Sequence, residues 1–380
     1  MKKHILNLPL IVLAFLFVSC GTSTNQEEQS EIKPYKVPVY AWLGGPEEAT
    51  DEEIKENFAD LKSKGIDVLM YNGGQDPATY KRVGNIAKSA GLGFQAWVPT
   101  MVQAIRPELK PEWYAINRKG ESAYDKPAYV SHYHFLCPSR EGVQNYLVDM
   151  YTKIAKVEEV DAIHLDYIRF PDVILARGLW DKYGLVMDKE YPDYDYCYCE
   201  VCTTNFKEQS GIDITTVEDP TQVAEWKQFR YDLITNMVSL LTETVHNEGK
   251  KINAAVFPGP STAKKLVRQE WNKWPLDGFF PMNYNDFYLE DTQWIGEVTK
   301  EGVTSLNNSK PVISGLFICP DPAKKKLEPD PENHGLLPEE LEAAIQQSMQ
   351  NGAAGICLFT PGRMTKEHWQ VFEKAIYKKY

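Results

Sequence analysis

Short apolar runs recur along this chain, and between them lie longer stretches whose apolar positions fall three and four residues apart. The runs are Val37 to Leu43, Val68 to Tyr71, Gly93 to Val98, Ala162 to Ile168, Ile252 to Phe257, Gly278 to Met282, Val312 to Ile318 and Gly355 to Phe359. Each has the length and content of a buried strand. The intervening spacing predicts amphipathic helices, such as Asp51 to Lys64 with Ile54, Phe58 and Leu61 on one face. A longer one is predicted over Gln222 to Glu248, with Trp226, Phe229, Leu233, Met237 and Leu240. Alternation of this kind gives parallel strands joined by crossovers. Eight repeats without a Pro/Gly/Ser-rich linker favour one closed (β/α)8 TIM barrel over residues 37–380, rather than an open doubly wound sheet. The turn Gly44-Gly45-Pro46 after the first run is not a dinucleotide or phosphate fingerprint.

A barrel of this type places its chemistry where strands end and βα-loops begin. That rule selects Trp42, Tyr71, Asn72, Trp97, Asp166, Arg169, Phe257, Asn283, Tyr284, Asn285, Asp286, Asp321 and Arg363. The fourth run is the most informative, because Asp161-Ala-Ile-His-Leu-Asp166 carries an apolar strand directly into a carboxylate, then Arg169 and Pro171. Side chains alternate along a strand, so Ala162, His164, Asp166 and Ile168 are expected to face the barrel, with Ile163, Leu165 and Tyr167 outside. Hydrolysis of a glycosidic bond needs a proton donor and an opposing carboxylate, water or substrate acetamide. Asp166 is the leading acid and Asp286 its preferred companion, with Asp172, Glu200 and Asp321 as other rim carboxylates. Arg169 beside Asp166 would hold that carboxyl ionised, and His164 is either its hydrogen-bond partner or a satisfied core histidine. Trp42, Tyr71, Trp97, His164, Arg169, Asn283 and Tyr284 form the expected substrate-binding set.

Composition narrows the partner. A formal net charge of -12 and the lack of a long Lys/Arg run argue against nucleic acid, and nine Trp with 21 Tyr suit the stacking of sugar rings. The N-terminus reads as an export signal: Lys2 and Lys3 precede an apolar stretch from Ile5 to Val18, then Val18-Ser-Cys20-Gly21. This junction resembles the lipobox of bacterial lipoproteins, with Phe17 where that pattern prefers Leu. The resemblance implies a lipid on Cys20, residues 1–20 as the signal, residues 21–36 as a tether, and a location on the bacterial cell envelope.

The run from His164 to Pro171, HLDYIRFP, resembles the family ten glycosyl-hydrolase-like lipoproteins, as do Phe135 to Ser139 before it and Pro281 to Tyr284 after it. The likeness implies a TIM-barrel glycosidase acting on a polysaccharide or cell-wall glycan, without catalytic cofactor. A more distant likeness runs to chitinases, whose fourth strand reads D-G-x-D-x-D-x-E and whose sixth reads M-x-Y-D. Here Asp166 matches the middle acid, but Ile168 stands where the proton-donating Glu is expected, so that mechanism does not carry over unchanged.

Cys197-Tyr-Cys199-Glu-Val-Cys202 places three thiols within six residues, and Cys137, in the neighbouring βα-loop, would complete a tetrahedral set. The spacing resembles the structural zinc loop of certain barrel β-galactosidases. A disulfide with one free thiol is the alternative. Cys319 and Cys357 are expected as buried free thiols or as a disulfide, and His132 and His134 have structural or substrate-binding roles rather than metal ligation. The expected function is glycoside hydrolysis. A non-catalytic glycan-binding lipoprotein on the same barrel is the alternative, and a carbohydrate deacetylase or esterase is a third, although no G-x-S-x-G elbow is present.

Overall fold

A computed structural model describes residues 35–44, 49–327 and 334–380. The export signal, Cys20, most of the tether and the Gly45-Pro46 turn lie outside these residues. Eight parallel strands form the barrel: β1 (Val39–Gly44), β2 (Val68–Asn72), β3 (Gly93–Pro99), β4 (Ala162–Asp166), β5 (Lys251–Val256), β6 (Gly278–Pro281), β7 (Ile313–Phe317) and β8 (Gly355–Phe359). Their order is β6-β5-β4-β3-β2-β1-β8-β7, and parallel bridges Phe279 to Val312 and Met282 to Gly315 close β6 on β7. The eight runs read from the sequence are these strands, with ends displaced by one or two residues in either direction.

The alternating side chains divide the core in two. Leu69, Phe94, Ile163, Leu165, Ile252, Leu316 and Leu358 face outward and pack under the helices. The lumen holds Trp42, Met70, Ala255, Phe280, Ile313 and Cys357, with Tyr40, Trp97, Met282 and Phe359 above or below them. Gly315 is required where the Trp42 ring crosses the lumen, since a Cβ there would meet that ring and the Pro281 carbonyl at 2.8 Å. The helices follow their local signals. Thr50 and Glu53 form a capping box on the helix Asp51–Ser63, and Asp76 caps the helix Pro77–Ser89, which has Pro77 in its first turn. The long helix predicted after the cysteine loop spans Ala224–Asn247 and buries Trp226, Phe229, Ile234, Met237 and Leu241. No helix among the described residues is long and apolar enough to cross a membrane.

Candidate active-site cleft

β4 ends at Asp166, and the next residue takes a left-handed backbone, with Tyr167 at φ 48°. That bend breaks the strand alternation. Tyr167 therefore turns into the cleft and Ile168 joins the outer core at 0% exposure, the reverse of the faces expected from the sequence. The position aligned with the chitinase proton donor thus points away from the cleft.

The cleft has a volume of about 490 Å³ and opens at the C-terminal ends of the strands. Trp97, Asp166, Tyr167, Arg169, Asp172 and Tyr284 line it, with Phe257, Met282, Phe287, Phe317 and Phe359 as apolar walls. Leu175, Ala176, Leu179 and Tyr183, from the insertion after β4, roof one side. Asp166 sits at its base. Trp97 Nε1 donates to Asp166 Oδ2 at 2.9 Å and the Tyr167 amide donates to Oδ1 at 2.7 Å. Burial raises the carboxyl above the usual aspartate range, against the lowering effects of these two donors and of Arg169.

Arg169 does not pair with Asp166 as expected. Its guanidinium donates to Asp172 Oδ2 at 3.2 Å, to Tyr133 Oη at 3.1 Å and to the Phe170 carbonyl at 2.9 Å. The rings of Tyr133, Phe135, Tyr167 and Phe257 surround it at 5.1 to 5.5 Å. The proline-terminated turn after β4 folds back so that Asp172, three residues on, reaches the cation first. Burial therefore outweighs Arg169 and the two donors at Asp166, and the net shift of its carboxyl is upward.

Several other expected site residues lie elsewhere. Trp42 is 1% exposed in the lumen, where Nε1 donates to His164 Nε2 at 2.8 Å. Because indole only donates, that nitrogen must be bare, so His164 carries its proton on Nδ1 and gives it to Asn253 Oδ1. Asn253 Nδ2 then donates to Gln95 Oε1 at 3.0 Å. His164 is a satisfied core histidine, and burial pushes its pKa down to about 4. Tyr71 faces the helices and packs on Phe94. Asn283 is 1% exposed and donates to Ser314 and Thr299 below the cleft. Asp286 does not line the cleft; it accepts from Lys325 Nζ at 2.6 Å and the Gly335 amide at 2.8 Å. Asp321 caps the short helix Pro322–Leu327 through the Lys324 amide, and Glu200 opens the helix Glu200–Ser210. Tyr133, Asp172 and the roof residues were missed as cleft residues, or ranked low, because their positions depend on a long loop without period.

Cys137, Cys197, Cys199 and Cys202 are buried and unpaired, with their sulfurs all within 4.8 Å of one another. Cys137 Sγ lies 3.5 Å from Cys202 Sγ and 3.6 Å from Cys199 Sγ. Tetrahedral coordination at a Zn–S distance of ~2.3 Å requires sulfurs ~3.8 Å apart, so this set fits such an ion. The Ile116 amide donates to Cys197 Sγ at 3.3 Å. The cluster can therefore hold a metal. It ties the loop after β3 to the insertion after β4, and a four-sulfur set leaves no open position for chemistry. Cys319 and Cys357 are both buried, and Cys357 is a free thiol.

No protein-family model matches the chain, and no curated protein matches it by sequence. Solved structures share the fold. The glycoside hydrolase domain of PgaB (BpsB) from Bordetella bronchiseptica superposes with a TM-score of 0.66 at 11% identity, covering 90% of this chain and 100% of that one. The catalytic domain of a β-amylase from Paenibacillus polymyxa gives 0.61 at 11% identity, over 90% and 98% of the two chains. A β-galactosidase from Marinomonas ef1 gives 0.61 at 11% identity, over 89% of this chain and 59% of that one. This chain is thus a (β/α)8 barrel whose structural neighbours are glycoside hydrolases.

Proposed function

We propose that this protein is a lipid-anchored glycoside hydrolase of the bacterial cell envelope, acting on a polysaccharide or cell-wall glycan with Asp166 as proton donor. The observation that carries the reading is the Asp166 carboxyl at the end of β4, at the base of an aromatic cleft, with its pKa raised by burial. A raised pKa keeps the proton available at a pH where an ordinary aspartate has lost it. In the reaction Asp166 protonates the glycosidic oxygen as the bond to the anomeric carbon breaks and its electron pair passes to that oxygen. Water adds to the carbon and passes its proton to the Asp172 carboxylate. Asp172 is the opposing carboxylate, since Arg169 and Tyr133 both bind Oδ2 and leave Oδ1 clear of both. The tyrosine and phenylalanine walls offer planes for sugar faces.

The anchor rests on the sequence around Cys20. The four cysteines are proposed to hold a structural zinc that fixes the insertion forming the cleft roof. A non-catalytic glycan-binding role is a second reading, favoured by one observation: among the described residues lining the cleft, the carboxylate other than Asp166 is tied to a cation. Asp166→Asn separates the two. The variant is expected to fold and bind glycan with hydrolysis lowered by at least about 10²-fold, as befits loss of a general acid. Full activity in Asp166→Asn would remove this residue from the mechanism, and no turnover by the unaltered protein on bacterial, plant and host glycans would favour binding alone.

A further inference from the structure

The cleft does not end at Tyr167. Asn72, Pro99, His132 and Tyr167 form a shared wall, beyond which a second groove of about 540 Å³ runs over the loops after β2 and β3. The chain has 53 acidic residues against 41 basic ones, yet neither Asp nor Glu lines this groove among the described residues. Its charged member is Arg106, which pairs with no carboxylate there. One guanidinium nitrogen donates to Gln75 Oε1 at 2.8 Å, and Tyr146 Oη donates to the same oxygen at 2.7 Å. Gln75 Nε2 in turn bonds Gln103 Oε1, whose amide is fixed on the Pro99 and Thr100 carbonyls. The cation is therefore held in place by neutral groups, with donors left over for an anion.

His134 adds to this wall. Its Nδ1 bonds the Ala123 carbonyl at 2.7 Å, and since a carbonyl only accepts, that nitrogen carries the proton. Exposed His132 stands between the groove and the cleft.

We propose that this groove is a subsite for a carboxylate-bearing sugar, with Arg106 as the specificity-determining residue, so that the substrate is an acidic glycan chain extending from Asp166 across Tyr167. The inference rests on the glycosidase reading above and narrows its substrate class. A ring carboxylate of a uronic acid and the lactyl ether carboxylate of a cell-wall sugar offer the same chemistry, and the assay distinguishes them.

Binding is measured by calorimetry on the Asp166→Asn protein, to prevent turnover, with two matched pairs of oligosaccharides. One pair is oligogalacturonate and its methyl ester; the other is peptide-free cell-wall glycan and chitin oligosaccharide of equal length. The carboxylated member of at least one pair is expected to bind about tenfold tighter, the scale of one charge-assisted hydrogen bond. The preference should weaken with salt, vanish in Arg106→Gln and persist in part in Arg106→Lys, which keeps the charge without the fork. Equal binding within both pairs, or a preference that survives Arg106→Gln, overturns the subsite. Hydrolysis of neutral chains by the unaltered protein, with no such preference, overturns the subsite alone. Failure of every glycan to bind or be cut overturns the glycosidase reading as well.

Discussion

His164 makes the acid stability of this barrel depend on one buried ring. It is fully buried, its Nε2 accepts from Trp42, and its pKa is pushed down to about 4 from an ordinary value of 6.5. Protonating Nε2 would set an N–H against the Trp42 N–H in the lumen. Above pH 6.5 the ring is neutral in both folded and unfolded chains, and its contribution is fully present. As pH falls, the unfolded chain takes the proton first, so stability is lost through the window from 6.5 to about 4. At ~1.36 kcal/mol per pKa unit, the interval corresponds to about 3 kcal/mol. The assay is urea unfolding followed by tryptophan fluorescence at pH 7.5 and pH 4, for the unaltered protein and His164→Gln. The unaltered protein is expected to lose about 3 kcal/mol more than the variant between these pH values. His132 and His368, whose pKa values burial also lowers, are present in both and cancel. Parallel losses in the two proteins would refute the reasoning.

The remaining predictions concern the insertion after β4. Metal analysis of protein purified without added zinc is expected to return about one zinc per chain, with Cys202→Ser losing the ion and lowering Tm; zinc-free protein of unchanged Tm would contradict a structural metal. Asp195 lies two residues before Cys197 and is 1% exposed, 2.6 Å from Arg230 and 3.5 Å from Arg268, whose guanidinium groups are also buried. Asp195→Ala leaves Arg230 without its carboxylate and is expected to cost about 3–5 kcal/mol in unfolding experiments; a cost below about 1 kcal/mol would show that the pair holds nothing in place.

The eight strands were legible because a buried parallel strand is apolar on both faces, a local property that no distant contact is needed to reveal. Asp166 was legible for a related reason: an apolar strand ending in a carboxylate before a proline marks the C-terminal rim. The cysteine set was read from spacing and from the adjacency of two βα-loops. The side chains around Asp166 were not equally readable. Trp42 and Tyr71 both stand near strand ends, but one points into the lumen and the other under the helices, and neither lines the cleft. Strand ends locate a residue along the axis and leave its direction to the register.

By itself the sequence determined the barrel, its element order, the cysteine cluster and the position of one acid, because strand period, helix period and motif spacing are short-range. The tertiary structure decided which charges meet. It paired Arg169 with Asp172 instead of Asp166, used Asp286 to hold Lys325 and Gly335, and sealed His164 between Trp42 and Asn253. It also turned Tyr167 into the cleft through a single left-handed residue. Coulombic and hydrogen-bond partners are selected by distances of a few ångströms across loops far apart in the chain, and a pKa follows those partners and the water they exclude.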